Sequence, residues 1–110
     1  KDSDYIISKI TSLRIFGDSE GNMNLSVSDT GGGILVVSQF TLYGDARRGR
    51  RPSFSDAMPP TEAAIFYDAF IKKFRSEYGK IESGVFGADM DVSLVNAGPV
   101  TIMLDSTRGF

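Results

Sequence analysis

At 110 residues the chain has room for one small domain, whose limited burial leaves a stability margin that is narrow or shared with a partner. It has no cysteine and no histidine, which excludes disulfides, thiolate chemistry and the Ser-His-Asp and Cys-His mechanisms, and removes the commonest metal ligand and general base. Lys and Arg number 12 against 14 Asp and Glu, a formal net charge of −2, so any pull on nucleic acid must come from a local patch.

The first element is a helix capped by Asp2 or Ser3, with Ile6, Ile7, Ile10 and Leu13 along one face. The stretch GDSEGNMN, with Gly17, Asp18, Gly21 and Asn22, has turn chemistry. Residues 23–27 then make a short strand, and SDTGGG breaks the chain again. Residues 34–43 carry the strongest strand pattern, and their continuous apolar start predicts burial on both faces. The connection 44–60 contains Gly44, Gly49 and three prolines; at this length it reads as functional or disordered. A second helix runs from an N-cap at Thr61 to about Tyr78, with Phe66, Phe70 and Phe74 at every fourth position and Gly79 as its stop. Strands at 91–95 and 100–104 follow, separated by NAGP. Helices and strands do not alternate regularly, which favours an α+β fold with a largely antiparallel sheet and two helices in a single domain, residues 1–110. No run approaches the roughly 20 apolar residues of a spanning helix. No signal peptide is visible, and Lys1 is not a natural translation start, which leaves room for upstream sequence.

Three stretches carry polar groups that chemistry can use. In SQFT, read as a strand, Gln39 and Thr41 share one face beside Ser38 and Phe40. An amide and a hydroxyl side by side can orient a water or a carbonyl. If buried they need partners, because an unpaired polar group costs about 1–3 kcal/mol; the alternative is a half-exposed strand on which they face solvent. In NAGPV, Gly98-Pro99 is compatible with a cis bond, which costs only about 0.5–1 kcal/mol over trans, and would aim neighbouring carbonyls together at an amine. A plain turn is the other reading. Arg47, Arg48, Arg50 and Arg51 surround Gly49; guanidinium forks suit phosphates, and a solvated loop is equally compatible with the composition. Walker A, GxGxxG and zinc-ligand spacings are absent, and no metal or other cofactor is expected. TGGG at 30–33 precedes a predicted strand rather than a helix, which argues against a phosphate loop.

SQFTLYGD, GRRPSF, FGADM and NAGPVT, in that order, resemble the D-aminoacyl-tRNA deacylases of the bacterial and eukaryotic type, over nearly the whole chain from LRIF at 13–16 to LDS at 104–106. The resemblance implies hydrolysis of the ester joining a D-amino acid, or glycine mischarged on tRNA(Ala), to the terminal adenosine of tRNA. It implies a homodimer in which a Gly98-cis-Pro99 motif reaches into the partner's site, holds the substrate's amino group and excludes an L side chain. Ser38, Gln39 and Thr41 become the catalytic group, and Phe40, Phe86, Met90, Asn96, Gly98, Pro99 and Thr101 the substrate-binding group. Arg47, Arg48, Arg50 and Arg51 are assigned to tRNA phosphates. Thr41 is one candidate nucleophile, and the 2′-hydroxyl of the tRNA is the other driver of the chemistry. The absence of histidine fits the second, since an unassisted hydroxyl is a weak nucleophile at neutral pH. Family members also carry N-terminal strands ahead of the first helix, which this sequence does not contain. The expected protein is a cytoplasmic, metal-independent esterase without membrane contact. Its rivals are a module that binds aminoacylated RNA ends without turnover and a degenerate structural subunit of the same fold.

Overall fold

Three α-helices, a 3-10 turn and two strand pairs make up the chain, seen in a computed structural model that describes residues 1–98 and 100–109. The first helix, α1 (Asp2–Ser12), turns Ile7 into the core. Lys1 is its N-cap and makes no side-chain capping bond, so the expected Asp2 or Ser3 cap does not form. Asp2 and Asp4 instead lie in the first turn, where the helix dipole favours negative charge. Next, β1 (Phe16–Gly17) and β2 (Met23–Leu25) form an antiparallel pair. Asp18 closes their turn, accepting from the Glu20 and Asn22 amides, both at 2.9 Å, and from Asn24 Nδ2 at 2.8 Å. These bonds, the Asn24 one foremost, hold its carboxyl below the usual carboxylate range.

A short helix, α2 (Val27–Thr30), occupies part of the stretch read as a break. Its capping box decides this: Ser26 Oγ accepts from the Asp29 amide at 3.1 Å, and Asp29 accepts from the Ser26 amide at 2.9 Å. Gly31, at φ 69°, ends it in the left-handed region. The strand read at 34–43 is shorter: β3 covers Ile34–Val36 and pairs in parallel with β4 (Ile81–Ser83), a strand not anticipated. Only one face of β3 is covered. Ile34 and Val36 pack on the core, while Leu35 is 59% exposed, which corrects the expectation of burial on both faces.

The long helix α3 (Pro60–Glu77) begins at Pro59 and Pro60 rather than at a Thr61 cap, because proline is pre-shaped for the first turn. Its C-cap is Tyr78, one residue before Gly79. Tyr67, Phe70, Ile71 and Phe74 form the inward stripe; Phe66 lies off it and is half exposed. The core is Ile7, Ile71, Phe74 and Ile81, centred on Phe74, which is 0% exposed. An ion pair between Asp4 and Lys73 ties α1 to α3, lowering the aspartate's pKa and raising the lysine's.

The α+β class stands, with one antiparallel and one parallel pair among the described residues. No regular strand forms at 91–95 or at 100–104; these stretches are irregular and largely exposed. No partner strand meets them among the described residues, and an unpaired extended segment has no ladder to hold it. Among the described residues no helix is long and apolar enough to cross a membrane.

Candidate active site

Two chain segments leave the same end of the β3–β4 pair, and the space between them is a cleft of about 790 Å³. Ser38, Gln39 and Phe40 line it after β3, and Phe86 and Met90 after β4. Phe54, Met58, Pro59 and Pro60, from the connection into α3, close a further side. Five of the predicted site residues therefore meet in one concavity.

The local backbone differs from the predicted strand. Phe40 takes up αR geometry, and Thr41–Tyr43 is a 3-10 turn in which Tyr43 N donates to Phe40 O at 3.0 Å and Gly44 N to Thr41 O at 2.9 Å. Gly44 is needed here: a Cβ on it would stand 2.9 Å from Thr41 O and 3.0 Å from the Phe54 ring. The close approach lets Phe54 meet Phe40 edge to face, with centroids 5.1 Å apart. Gln39 and Thr41 remain neighbours through the turn rather than through a shared strand face. The Thr41 hydroxyl donates to the side-chain carbonyl of Gln39 at 2.7 Å. An amide oxygen is not a base at neutral pH, and among the described residues no carboxylate or amine is bonded to that hydroxyl.

On the other wall, Met90 folds over Gly84, where a Cβ would lie 3.2 Å from its sulfur. The Phe86 ring stands 5.8 Å from that of Tyr67 on α3. Tyr67 belongs to the inward stripe of α3. Its hydroxyl lies 3.1 Å from Gly84 O and 3.3 Å from Val36 O, and the helical period carries no sign of this second task. Phe54 lay within GRRPSF without a role; its contact with Phe40 depends on a fold-back that spacing does not reveal.

The arginines sit on a small hairpin. Asp45 and Ser53 exchange backbone hydrogen bonds of 2.7 and 2.9 Å, and Gly49 turns the tip at φ 64°. Arg47 is engaged by Asp45 through Nε at 2.9 Å and Nη2 at 2.7 Å, and its amide donates to the same carboxylate at 3.0 Å. The Arg47 side chain first, and then its amide, hold the Asp45 carboxyl below its usual range. Among the described residues Arg47 alone of the four is ion-paired; Arg48, Arg50 and Arg51 are exposed.

Asn96, Gly98 and Thr101 are exposed and do not line the cleft within this one chain. The Asn96 amide lies against Gly98, on which a Cβ would come within 2.7 Å of Asn96 Oδ1. Pro99, and with it the expected cis bond, lies outside the described residues. Among the described residues no group of three or more carboxylates stands together as a metal site.

The family profile described as D-Tyr-tRNA(Tyr) deacylase matches residues 1–105. This chain belongs to that family. It is 56% identical over 110 residues to the D-aminoacyl-tRNA deacylase of Thermosipho melanesiensis, covering 99% of this chain and 73% of that protein. To the D-aminoacyl-tRNA deacylase of Kosmotoga olearia it is also 56% identical, covering 100% of this chain and 74% of the relative. The protein of the same name from Anaeromyxobacter dehalogenans is 54% identical, with the same coverage. A solved structure titled c-Myc DNA Unwinding Element Binding Protein superposes with a TM-score of 0.81 at 42% identity, over 91% of this chain and 68% of that one. The fold of this chain is thus shared with that solved structure, and the cleft lies where the SQFT and FGADM segments converge.

Proposed function

We propose that this chain hydrolyses the ester bond of D-aminoacyl-tRNA, releasing the free D-amino acid and tRNA. The observation that carries this reading is the convergence of Ser38, Gln39 and Phe40 with Phe86 and Met90 in one cleft, in a chain of the deacylase family. Phe40, Phe54 and Phe86 suit the flat face of a terminal adenine, and Gln39 and the backbone of 38–40 suit the ester carbonyl and an attacking water.

Chemistry driven by the 2′-hydroxyl of the terminal ribose is favoured over attack by Thr41. The Thr41 proton is already given to Gln39, and nothing bonded to it among the described residues can take that proton away. In this reading Thr41 orients the Gln39 amide, and Gln39 faces the substrate. Gly98, Pro99, Asn96 and Thr101 act from the partner subunit of a homodimer, gripping the substrate's amino group. With amine and carbonyl both held, one direction remains for the side chain, and a clash in the other rejects the L form. Glycine has no side chain to clash and is accepted. The arginine hairpin holds tRNA phosphates, and the protein works in the cytoplasm.

The deciding experiment is incubation of the full chain with D-Tyr-tRNA and L-Tyr-tRNA, scored by ester loss. Rapid loss of the D ester alone is expected. Equal rates, or retention of both esters by a protein that binds them, would replace this reading with that of a binding module.

A further inference from the structure

Phe86 borders a second cavity, of about 390 Å³, as well as the active-site cleft. Lys72 and Arg75 of α3 line this second space, three residues apart and thus on one helix face, with Ser83 at the end of β4 opposite them. Arg75 Nη2 lies 3.4 Å from Ser83 Oγ, which turns the guanidinium toward the strand and into the cavity. Among the described residues neither Lys72 nor Arg75 is ion-paired, whereas Lys73 between them is held by Asp4. Asp68 also lines the space. Two cations against one carboxylate leave one net positive charge, the complement of a phosphodiester rather than of a dianionic monophosphate.

We propose that this cavity is a phosphodiester subsite for the single-stranded 3′ end of the RNA substrate. It holds a phosphate upstream of the terminal nucleoside that occupies the neighbouring cleft, and so it rests on the function proposed above. Single-stranded nucleic acid is held elsewhere by the same combination, an aromatic platform beside a cationic groove. Here the platform is Phe86, backed by Tyr67 at 5.8 Å, and the groove begins at its edge. Lys72 supplies a mobile point charge, and Arg75 a planar fork already aimed by Ser83. The site is remote in sequence from the arginine hairpin, which adjoins the cleft through Phe54. Acceptor-stem phosphates and 3′-end phosphates thereby have separate grips.

The test compares the full chain with its Lys72→Ala/Arg75→Ala variant on two substrates: D-Tyr-tRNA and D-tyrosyl-adenosine, which has no phosphate. With the tRNA, KM is expected to rise about tenfold with a flatter salt dependence, while kcat stays within about twofold. With D-tyrosyl-adenosine both constants are expected to stay unchanged. An equal loss on both substrates would mean damage to the cleft, and an unchanged KM for tRNA would mean a solvated helix face; either overturns the proposal. If the parent protein hydrolyses neither substrate, the function proposed above fails, and the subsite is then decided by binding alone. A single-stranded RNA ending in CCA should lose affinity in the variant, and equal affinity overturns the subsite.

Discussion

The Tyr67 hydroxyl lies 3.1 Å from the Gly84 carbonyl and 3.3 Å from that of Val36, so one side chain of α3 spans the end of the β3–β4 pair. Both walls of the cleft leave the sheet at those two residues. A single phenolic proton serves one acceptor at a time, and the bond is shared between the strands. The same ring backs Phe86. The SQFT and FGADM segments therefore start from two carbonyls bridged by a residue that does not itself line the cleft, beside the backbone bond from Gly84 N to Val36 O at 2.9 Å.

Tyr67→Phe keeps the ring and removes the clasp. Stability should fall by about 1 kcal/mol, the worth of an ordinary hydrogen bond, as read from urea denaturation. KM for D-Tyr-tRNA should rise severalfold, with kcat lowered less. Full stability together with unchanged kinetics would show that the backbone bond from Gly84 N to Val36 O, with water on the Gly84 carbonyl, holds the two strands without the tyrosine.

Thr41→Ala separates the two chemical schemes. Under the RNA-driven scheme the variant loses only the 2.7 Å bond that steadies Gln39. Its single-turnover rate should fall by about tenfold or less, the scale of one hydrogen bond. A substrate ending in 2′-deoxyadenosine should be cleaved far more slowly than its ribo counterpart by the parent protein. The reverse order, with an acyl-enzyme trapped on Thr41, would establish the threonine as nucleophile.

Much of this architecture was legible beforehand, for identifiable reasons. The inner faces of α1 and α3 follow from helical spacing, and Ile7 and Phe74 meet where that spacing puts them. Phe66 was misplaced because a four-residue step drifts off a 3.6-residue stripe. β3 was read too long because Phe40, Leu42 and Tyr43 look like strand residues, while hydrogen bonds local to 40–44 make a turn. α2 was overlooked because Ser-x-x-Asp at 26–29 serves a break as well as a capping box. β4 was overlooked because Ile81–Ser83 is too short to show a period. The cleft residues were reached through motif resemblance; the Tyr67 clasp and the Asp45–Arg47 pair require coordinates.

The four arginines should not behave alike. Arg47 is spent on Asp45, closing the hairpin, while Arg48, Arg50 and Arg51 are exposed and make no ion pair among the described residues. Replacing those three with alanine should reduce the slope of log affinity for tRNA against log salt by about 2 to 3, at roughly 0.7–0.9 per phosphate contact. Arg47→Ala should leave that slope nearly intact and loosen the hairpin instead. Equal slopes for the triple variant and the parent would make the loop solvated surface.

Acid should open the same hairpin. The folded Asp45 carboxyl titrates below its unfolded value because Arg47 donates to the charged form. A depressed carboxylate stabilises the fold fully above the unfolded pKa and loses that effect as pH falls through the folded one. Amide exchange at Asp45 and Ser53, normalised for the intrinsic pH dependence, should therefore accelerate only on the acid side of the ordinary carboxylate range. In Asp45→Asn that acid step should be missing and exchange fast throughout. A step that persists in the Asn variant would assign it to another group.

Gly98→Ala is the sharpest probe of the segment assigned to amine recognition. A Cβ at this position would stand 2.5 Å from the backbone nitrogen of Val100 and 2.7 Å from Asn96 Oδ1. The first contact is with main chain, so no rotamer change relieves it, and the backbone at Gly98 and Val100 must move. Residues 96–98, 100 and 101 are exposed within the chain and make no part of the Ile7, Ile71, Phe74 and Ile81 core. The melting free energy should accordingly change by no more than about 0.5 kcal/mol, as for a surface substitution. Catalysis is another matter, because a displacement of about 1 Å in a positioning group costs on the order of 100-fold in rate. Single-turnover hydrolysis of D-Tyr-tRNA should fall by that order, and the D-over-L preference should fall with it, since in the proposed function the same groups set chirality. If the proposed dimer forms, protomers with an intact Gly98-Pro99 but an inactivated cleft should rescue the Gly98→Ala subunit by lending it that segment. A variant with normal rate and normal selectivity, or one that no partner rescues, would remove this segment from the site.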